Sequence, residues 1–182
     1  MNLSNVTLYG NTAPDGGAIL HTGPPAPTSI LTLNNVTISG NLTGGGTGTG
    51  GIRNFAQVNV RNSIMAWNVN GNCLSGGSGT IVSQGYNLES SNSCGLSALG
   101  DLPNIDPNLG PFADYGGPVS TIVLLPGSPA LEAGNPAVPG SGGNACAATD
   151  ARLVVRPVGE RCDIGAYESE YPYSLFLPLI MR

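Results

Sequence analysis

Carboxylate side chains are the groups of this 182-residue chain best suited to acid–base chemistry, and they are unevenly distributed. The only acidic residue within positions 1–72 is Asp15. The later acidic residues include Asp101, Asp106, Asp114, Asp150, Asp163 and Glu168. Cleavage of a glycosidic bond requires a pair of carboxylates, or a base with cationic assistance, converging on one sugar. Residues 1–72 cannot supply such a pair, so the sequence favours a non-catalytic chain and we assign no catalytic residue.

Other common catalytic groupings also lack support in the sequence. His21 is the only histidine, and it aligns with Asn54 in a weak repeat. We therefore interpret His21 as a structural corner residue rather than a general base. The glycine-rich runs at 44–51 and 75–79 contain no lysine, so they do not match a phosphate-binding loop.

Two aspartates in the string "GDLPNIDP" raise the question of a metal site. Asp101 and Asp106 could supply oxygen ligands to calcium, but an EF-hand type loop carries acidic residues more densely, at alternate positions. Aspartate beside glycine or proline is also common in turns. We predict no cofactor, and calcium at Asp101 and Asp106 is the alternative.

The four cysteines indicate covalent cross-links. Cys73 and Cys94 form one pair along the chain and Cys146 and Cys162 another, each closing a loop of roughly 15 to 20 residues. Metal sites usually bring cysteines in C-x-x-C clusters, and none occurs here. Two disulfides formed in an oxidising compartment are the prediction, and a metal site is the alternative.

Charge and aromatic content limit the partners of the chain. The net charge is −5, lysine is absent and the six arginines are scattered, so we predict no nucleic-acid partner. Exposed aromatic side chains could instead stack on sugar rings, although packing in the interior is the alternative. The candidates are Trp67, Tyr86 and Tyr115, together with Phe112. The partners we expect are a polysaccharide or another surface protein.

A repeated string organises the first part of the chain. The segments "NLSNVTLYGN" (2–11), "TLNNVTISGN" (32–41) and "NVRNSIMAWN" (59–68) align without gaps. Their aligned asparagines lie 30 and then 27 residues apart. Apolar and polar residues alternate on both sides of each asparagine, with the period of a β-strand. Repetition at this spacing predicts stacked units, and the β pattern makes them the coils of a parallel β-helix.

Asn5, Asn35 and Asn62 interrupt the alternation and are predicted to mark one corner of the coil. Asparagine suits a corner because it tolerates the left-handed backbone conformation. Stacking would place the three residues above one another, with their side-chain amides in a ladder. The predicted interior stacks are Leu3, Leu33 and Val60; Leu8, Ile38 and Met65; and Ile19 over Ile52.

Two positions of the third unit depart from this pattern. Ile64 and Trp67 stand where the second unit has Thr37 and Gly40. Apolar residues that face outward over a wall indicate that something covers it. We expect the non-repetitive C-terminal region to be that cover.

Four later strings resemble a known family. They are "GYNLESSNSCGL" (85–96), "GDLPNIDPNLGPFADYGGP" (100–118), "LLPGSPALEAGNP" (124–136) and "RPVGERCDIGAYE" (156–168). With the repeats, they resemble right-handed parallel β-helix proteins of the pectin-lyase-like superfamily, and specifically the C-terminal region of choice-of-anchor Q domain proteins. The resemblance covers about residues 1–170. It implies an exported, surface-associated protein with no established catalytic residues, and it pairs Cys73 with Cys94 and Cys146 with Cys162.

The predicted fold is all-β: a short right-handed parallel β-helix of about three coils with a disulfide-pinned, turn-rich C-terminal cap. Residues 1–72 are expected to form the coils and residues 73–170 the cap region of the same domain. Residues 171–182 form a short apolar tail, either a sorting or anchoring signal or a terminal strand. Its apolar run is far below the roughly 20 residues that span a bilayer, so we predict no transmembrane span.

Two function classes are consistent with this organisation. The first is a non-catalytic extracellular or cell-surface module of adhesion type, possessing glycan contacts and exported by a signal that this chain does not contain. The second is the C-terminal part of a polysaccharide lyase or glycoside hydrolase whose catalytic coils lie elsewhere. Both place the chain at the C-terminal end of a longer protein, and the fold by itself does not decide between them.

Overall fold

A computed structural model describes residues 1–24 and 28–170, and the apolar tail at 171–182 lies outside the described residues. Among the described residues there is no helix, and hence no helix that could cross a membrane. The strands are β1 (Asn2–Ser4), β2 (Thr7–Tyr9), β3 (Thr12–Ala13), β4 (Ile19–His21), β5 (Ile30–Asn34), β6 (Thr37–Ser39), β7 (Leu42–Thr43), β8 (Ile52–Asn54), β9 (Gln57–Arg61), β10 (Ile64–Ala66), β11 (Cys73–Ser75), β12 (Thr80–Ser83), β13 (Leu88–Glu89), β14 (Leu102–Pro103), β15 (Leu109–Ala113) and β16 (Thr121–Leu124). The predicted all-β class is confirmed.

Parallel sheets form the walls of a β-helix of about three turns. The first wall has the strand order β1-β5-β9-β12, the second β14-β13-β10-β6-β2 and the third β11-β8-β4. Neighbouring strands of a wall come from successive turns of the chain, as winding requires. A short parallel ladder of β3 and β7 lies between the second and third walls in chain order. The predicted parallel β-helix is therefore confirmed.

The interior is built from in-register stacks of alternating apolar residues. Strand pairing places Leu3 on Leu33 and Leu33 on Val60, then Leu8 on Ile38 and Ile38 on Met65, and Ile19 on Ile52. These side chains belong to one hydrophobic cluster. Fully burying such a side chain contributes about 1.5 to 3 kcal/mol, so repetition of the stacks supplies much of the stability of the coils.

Parallel pairing continues beyond residue 72, the predicted end of the coils. β11 pairs with β8, β12 pairs with β9, and β13 and β14 extend the second wall. Tyr86 stands in this further turn where the earlier turns have a corner asparagine, since Leu88 pairs with Ile64. The turn is therefore not recognisable from the repeated string.

The region after β14 lies along the outer face of the second wall. Its antiparallel hairpin of β15 and β16 and the loops that follow form a second hydrophobic cluster with the wall. Ile64, which pairs with Thr37 and is fully buried, packs there with Ile122 and Ile164. The expectation of a C-terminal cover is confirmed at Ile64, whereas Trp67 keeps 47% of its surface exposed.

Candidate functional site

The corner between the first and second walls is formed by left-handed residues. Asn5, Asn35 and Asn62 have φ angles of 57°, 52° and 48°, and Tyr86 continues the series with 58°. The corner asparagines therefore lie on the left-handed backbone that the sequence analysis assigned to them. Among the described residues, however, their side chains do not bond to one another.

The amides of Asn35 and Asn62 bind the C-terminal region, and Asn62 Nδ2 also donates to Asn34 Oδ1 of the preceding turn at 2.9 Å. Asn35 Nδ2 donates to the carbonyl oxygens of Asp163 and Gly165, both at 3.3 Å. Asn62 Nδ2 donates to the carbonyl oxygen of Asn144 at 3.0 Å. The predicted corner ladder is wrong because these amides point outward, where the loops of the C-terminal region supply the partners.

Arg156 holds the same two carbonyl groups from the other side. Its guanidinium donates to the carbonyl oxygen of Asp163 at 3.1 Å and to that of Gly165 at 2.8 Å. It also forms an ion pair with Glu168, and both side chains are buried. The loop 162–168 is thus clamped between a corner asparagine of the β-helix and a buried arginine of the C-terminal region.

Close packing at Gly165 and a disulfide bond both hold the loop 162–168 in place. Gly165 has a φ of 99°, and a Cβ placed there would lie 2.8 Å from side-chain atoms of both Ile64 and Thr37. The Cys146–Cys162 disulfide anchors the start of the loop, and the other bond is Cys73–Cys94. Both predicted disulfides are therefore confirmed.

The clamp lies in a cluster of buried charges with more carboxylates than guanidinium groups. Asp150, Asp163 and Glu168 are buried beside Arg152 and Arg156. Burial, reinforced by the charge of Glu168, raises the pKa of Asp163 to about 7. Burial also raises the pKa of Glu168 and lowers the pKa of Arg156. One carboxyl of the cluster therefore holds its proton up to near-neutral pH.

These carboxylates are used internally. Asp163 accepts hydrogen bonds from the backbone N–H groups of Glu132 at 2.7 Å and Ser169 at 2.6 Å. Asp150 accepts from Arg152 Nε at 2.9 Å and from the backbone N–H of Glu168 at 3.0 Å. The arrangement positions backbone and does not present a carboxylate pair to a substrate.

A ladder of asparagines does exist at the next corner, where Asn11, Asn41 and Asn68 come from successive turns and Asn72 follows Asn68 on the same turn. Its members are Asn11, Asn41, Asn68 and Asn72, whose Nδ2 groups donate in sequence to the next Oδ1 at 3.0, 2.8 and 2.9 Å. The ladder ends on the buried carboxylate of Glu89, which accepts from Asn72 Nδ2 at 3.2 Å. Sequence reasoning missed it, although the repeated strings all end in asparagine.

The residues considered for calcium are engaged with protein donors. Asp101 accepts hydrogen bonds from Ser83 Oγ at 2.6 Å and from the backbone N–H groups of Asn87 at 2.9 Å and Ala98 at 2.7 Å. Asp106 accepts from the backbone N–H of Asn108 at 2.8 Å, as in a turn. Within residues 1–24 and 28–170, no cluster of three or more His, Cys, Asp or Glu could hold a metal ion.

His21 lies on the third wall directly over Asn54, as the sequence alignment predicts. Its Nδ1 is 3.0 Å from Asn54 Oδ1 and its Nε2 is 3.2 Å from Ser29 Oγ. Asn54 Nδ2 donates to backbone carbonyls of Ala56 and Thr80, which fixes its oxygen toward the imidazole. The ring therefore joins successive turns and faces a neutral amide where a catalytic triad would have a carboxylate.

Two of the candidate aromatic residues are packed against neighbouring groups. The ring of Tyr86 fills the space beside Gly100, where a Cβ would lie 2.3 Å from it, and Arg161 lies over its face at 5.5 Å. Tyr115 packs edge-on against Tyr167 with ring centroids 5.9 Å apart. These contacts give both residues a role in packing.

Tyr9, Trp67 and Phe112 are exposed aromatic residues on or beside the second wall, and we call them the exposed aromatic surface. The rings of Tyr9 and Phe112 are stacked with centroids 5.0 Å apart, yet 48% and 41% of these residues remain exposed. The ring of Tyr9 covers Gly40. Trp67 is the counterpart of Gly40 one turn further on, because Ser39 pairs with Ala66. Tyr9 was missed from the sequence because its partner, Phe112, comes from the distant hairpin.

Comparison with protein-family models, curated proteins and solved structures finds no significant match. The resemblance to choice-of-anchor Q domain proteins therefore rests on the quoted strings. The structure adds the parallel β-helix and both disulfides to that resemblance.

Proposed function

We propose that the chain is a non-catalytic, exported cell-surface module of adhesion type that contacts glycans and forms the C-terminal piece of a longer protein. The two disulfides support an oxidising compartment. The use of the buried acids in internal contacts supports a binding rather than a catalytic role. The resemblance to choice-of-anchor Q domain proteins, with a right-handed β-helix, supports a surface location.

The observation that carries the glycan contact is the exposed aromatic surface of Tyr9, Trp67 and Phe112. Stacked rings that stay about half exposed present a flat apolar face to solvent. Such a face suits the apolar side of a sugar ring, while the polar groups of the sugar remain in water. Tyr9 and Trp67 belong to the coils and Phe112 to the hairpin packed on them, and rings held by folded backbone lower the entropy cost of binding.

The surroundings of this surface favour an uncharged glycan. The exposed residues Leu42 and Val69 lie on the adjoining edge of the coils, since Val69 donates its backbone N–H to the carbonyl of Asn41. The backbone N–H of Trp67 is bonded to Ser90 Oγ at 3.0 Å. None of these neighbours carries a charge that would select an acidic polymer.

Affinity measurements on variants of the aromatic surface test this proposal. Wild type, Tyr9→Ala, Trp67→Ala and Phe112→Ala are titrated with neutral polysaccharides by affinity electrophoresis, with Leu99→Ala as an exposed apolar control. We expect each aromatic variant to bind about tenfold more weakly or worse, as loss of a ring stack implies, and the control to bind as wild type. Equal binding by all variants, or by none including wild type, would contradict the proposed contact.

A further inference from the structure

The N-terminal end of the β-helix exposes the top of the hydrophobic core. Leu3, Val6, Leu8 and Ile19 are only partly buried there, whereas their counterparts one turn later, Leu33, Val36, Ile38 and Ile52, are at most 1% exposed. An open depression of about 410 Å³ is lined by these residues together with Ala18 and Leu31. Side chains at these positions are thus fully buried in the next turn, where another turn of the coil lies above them.

The backbone at this end is unpaired as well. β1, β2 and β4 are each the outermost strand of a wall. An outermost strand presents alternate N–H and C=O groups with no neighbouring strand, which is a template for further pairing. Three such edges lie at one end of the molecule, around one apolar depression.

The asparagine ladder shows which side chain would meet this end. Asn41 Oδ1 accepts both the backbone N–H and the Nδ2 of Asn11, at 2.9 and 3.0 Å. Asn68 Oδ1 accepts the same two groups of Asn41, at 3.0 and 2.8 Å. Asn11, the first member, is exposed and its Oδ1 is in the position of an acceptor for a preceding asparagine.

We propose that this end binds one further coil of the same parallel β-helix, with apolar residues over Leu3, Leu8 and Ile19 and an asparagine over Asn11. The coil is supplied by a preceding part of the protein, so this inference deepens the proposed position of the chain at the C-terminal end of a longer one. A second copy related by a two-fold axis would present antiparallel strands. Antiparallel strands would not repeat the parallel ladder geometry of Asn11, Asn41 and Asn68.

Extension of the full chain tests the proposal. A copy of residues 30–57 is fused directly before Met1, so that its Leu33 lies over Leu3 and its Asn41 over Asn11, as in the register of β5 on β9. One control carries Leu33→Asp, Val36→Asp and Ile38→Asp within the copy, and a second carries only Asn41→Ala there. The readouts are the midpoint of thermal unfolding and amide hydrogen exchange in β1, β2 and β4.

We expect the added coil to raise the unfolding midpoint by several degrees and to slow exchange in all three strands by at least tenfold. The aspartate control should abolish both effects, and the Asn41→Ala copy should give an intermediate gain. No gain over the aspartate control would overturn the proposal. So would a dimeric parent chain in which these strands already exchange slowly. Because neither readout involves sugar, failure here is distinct from failure of the glycan contact.

Discussion

Arg156 is the residue on which the C-terminal clamp depends most. It is 4% exposed, pairs with the buried Glu168 and binds the backbone carbonyls of Asp163 and Gly165. Removing one partner of a buried ion pair leaves an uncompensated charge, which typically costs about 3 to 5 kcal/mol. We therefore expect Arg156→Met to lower the free energy of unfolding by about that amount in urea titrations.

Arg53 provides a matched control for this substitution. It pairs with Asp15 at 3.0 Å, and 19% of the Arg53 side chain and 37% of the Asp15 side chain are exposed. Its guanidinium also lies 4.5 Å from the ring centroid of Phe55. A pair near the surface contributes about 1 kcal/mol or less and a cation–π contact about 0.5 to 1 kcal/mol, so Arg53→Met should cost less than Arg156→Met. If Arg156→Met and Arg53→Met lowered the free energy of unfolding equally, the buried clamp would contribute no more to stability than the ion pair of Arg53.

The raised pKa of Asp163 predicts that the stability of the fold falls as the pH rises toward neutrality. Its folded pKa of about 7 lies above the ordinary value of 3.8, so the folded state holds a proton that the unfolded state releases. This contribution to stability is complete below pH 3.8 and is lost as the pH rises through about 7. The raised pKa of Glu168 acts in the same direction.

Carbon-13 NMR of the side-chain carboxyl groups measures the pKa of Asp163. Urea unfolding at a series of pH values measures how the free energy of unfolding depends on pH. The expected results are an Asp163 midpoint near neutrality and a free energy of unfolding that falls between about pH 4 and pH 7. An Asp163 midpoint near that of a free aspartate, with no decline in stability over this range, would refute the assignment.

Among the elements, the loop 162–168 fits against the second wall with no room for a larger residue at Gly165. Gly165→Ala would bring a Cβ within 2.8 Å of Ile64 and Thr37 on a backbone with φ of 99°. Gly116 has a comparable φ of 83° with nothing within 4 Å, so Gly116→Ala isolates the conformational cost alone.

Unfolding titrations of the two glycine variants separate steric overlap from backbone strain. The cost of holding an alanine at positive φ is about 1 to 2 kcal/mol and common to both. Overpacking at Gly165 should add about 1 to 3 kcal/mol. If Gly165→Ala were no less stable than Gly116→Ala, the close docking of the loop on the wall would be wrong.

The coils could be predicted from the sequence because their contacts repeat at nearly constant spacing. The stacks of Leu33 on Leu3 and of Ile38 on Leu8 follow directly from the aligned strings. The docking of the C-terminal region could not be predicted, because it joins residues far apart in the chain with no period. Asn35 and Gly165, for example, are 130 positions apart. The direction of the corner amides depends on these contacts, which is why the predicted corner ladder was wrong.

The same separation explains why Tyr9 was missed as a member of the exposed aromatic surface. Trp67 is recognisable because it replaces a glycine of the repeat, but Tyr9 lies within an ordinary strand. Its stacking on Phe112 requires the hairpin of β15 and β16 to return along the wall toward the first turn. The contact of Thr7 Oγ1 with Thr121 Oγ1 at 2.8 Å marks that return.

At the scale of the whole molecule, the coils and the C-terminal region share one hydrophobic cluster. The second wall contributes one face to the interior and the other to the cluster around Ile64 and Ile164. We expect the two parts to unfold together, because neither can bury its side of this wall alone. Native-state hydrogen exchange in increasing denaturant should show residues 30–66 and 145–168 losing protection in one transition. Loss of protection in 145–168 first, with the coils intact, would contradict a shared unit.

The function of the molecule is tested most directly by incubating the purified chain with a panel of neutral and acidic polysaccharides, with and without calcium. Retention on the polymer and release of soluble sugar are measured on the same samples. A non-catalytic glycan-binding module predicts retention on neutral polymers without sugar release, unaffected by calcium. Release of sugar would contradict this account and assign catalysis to the acidic residues of the C-terminal region.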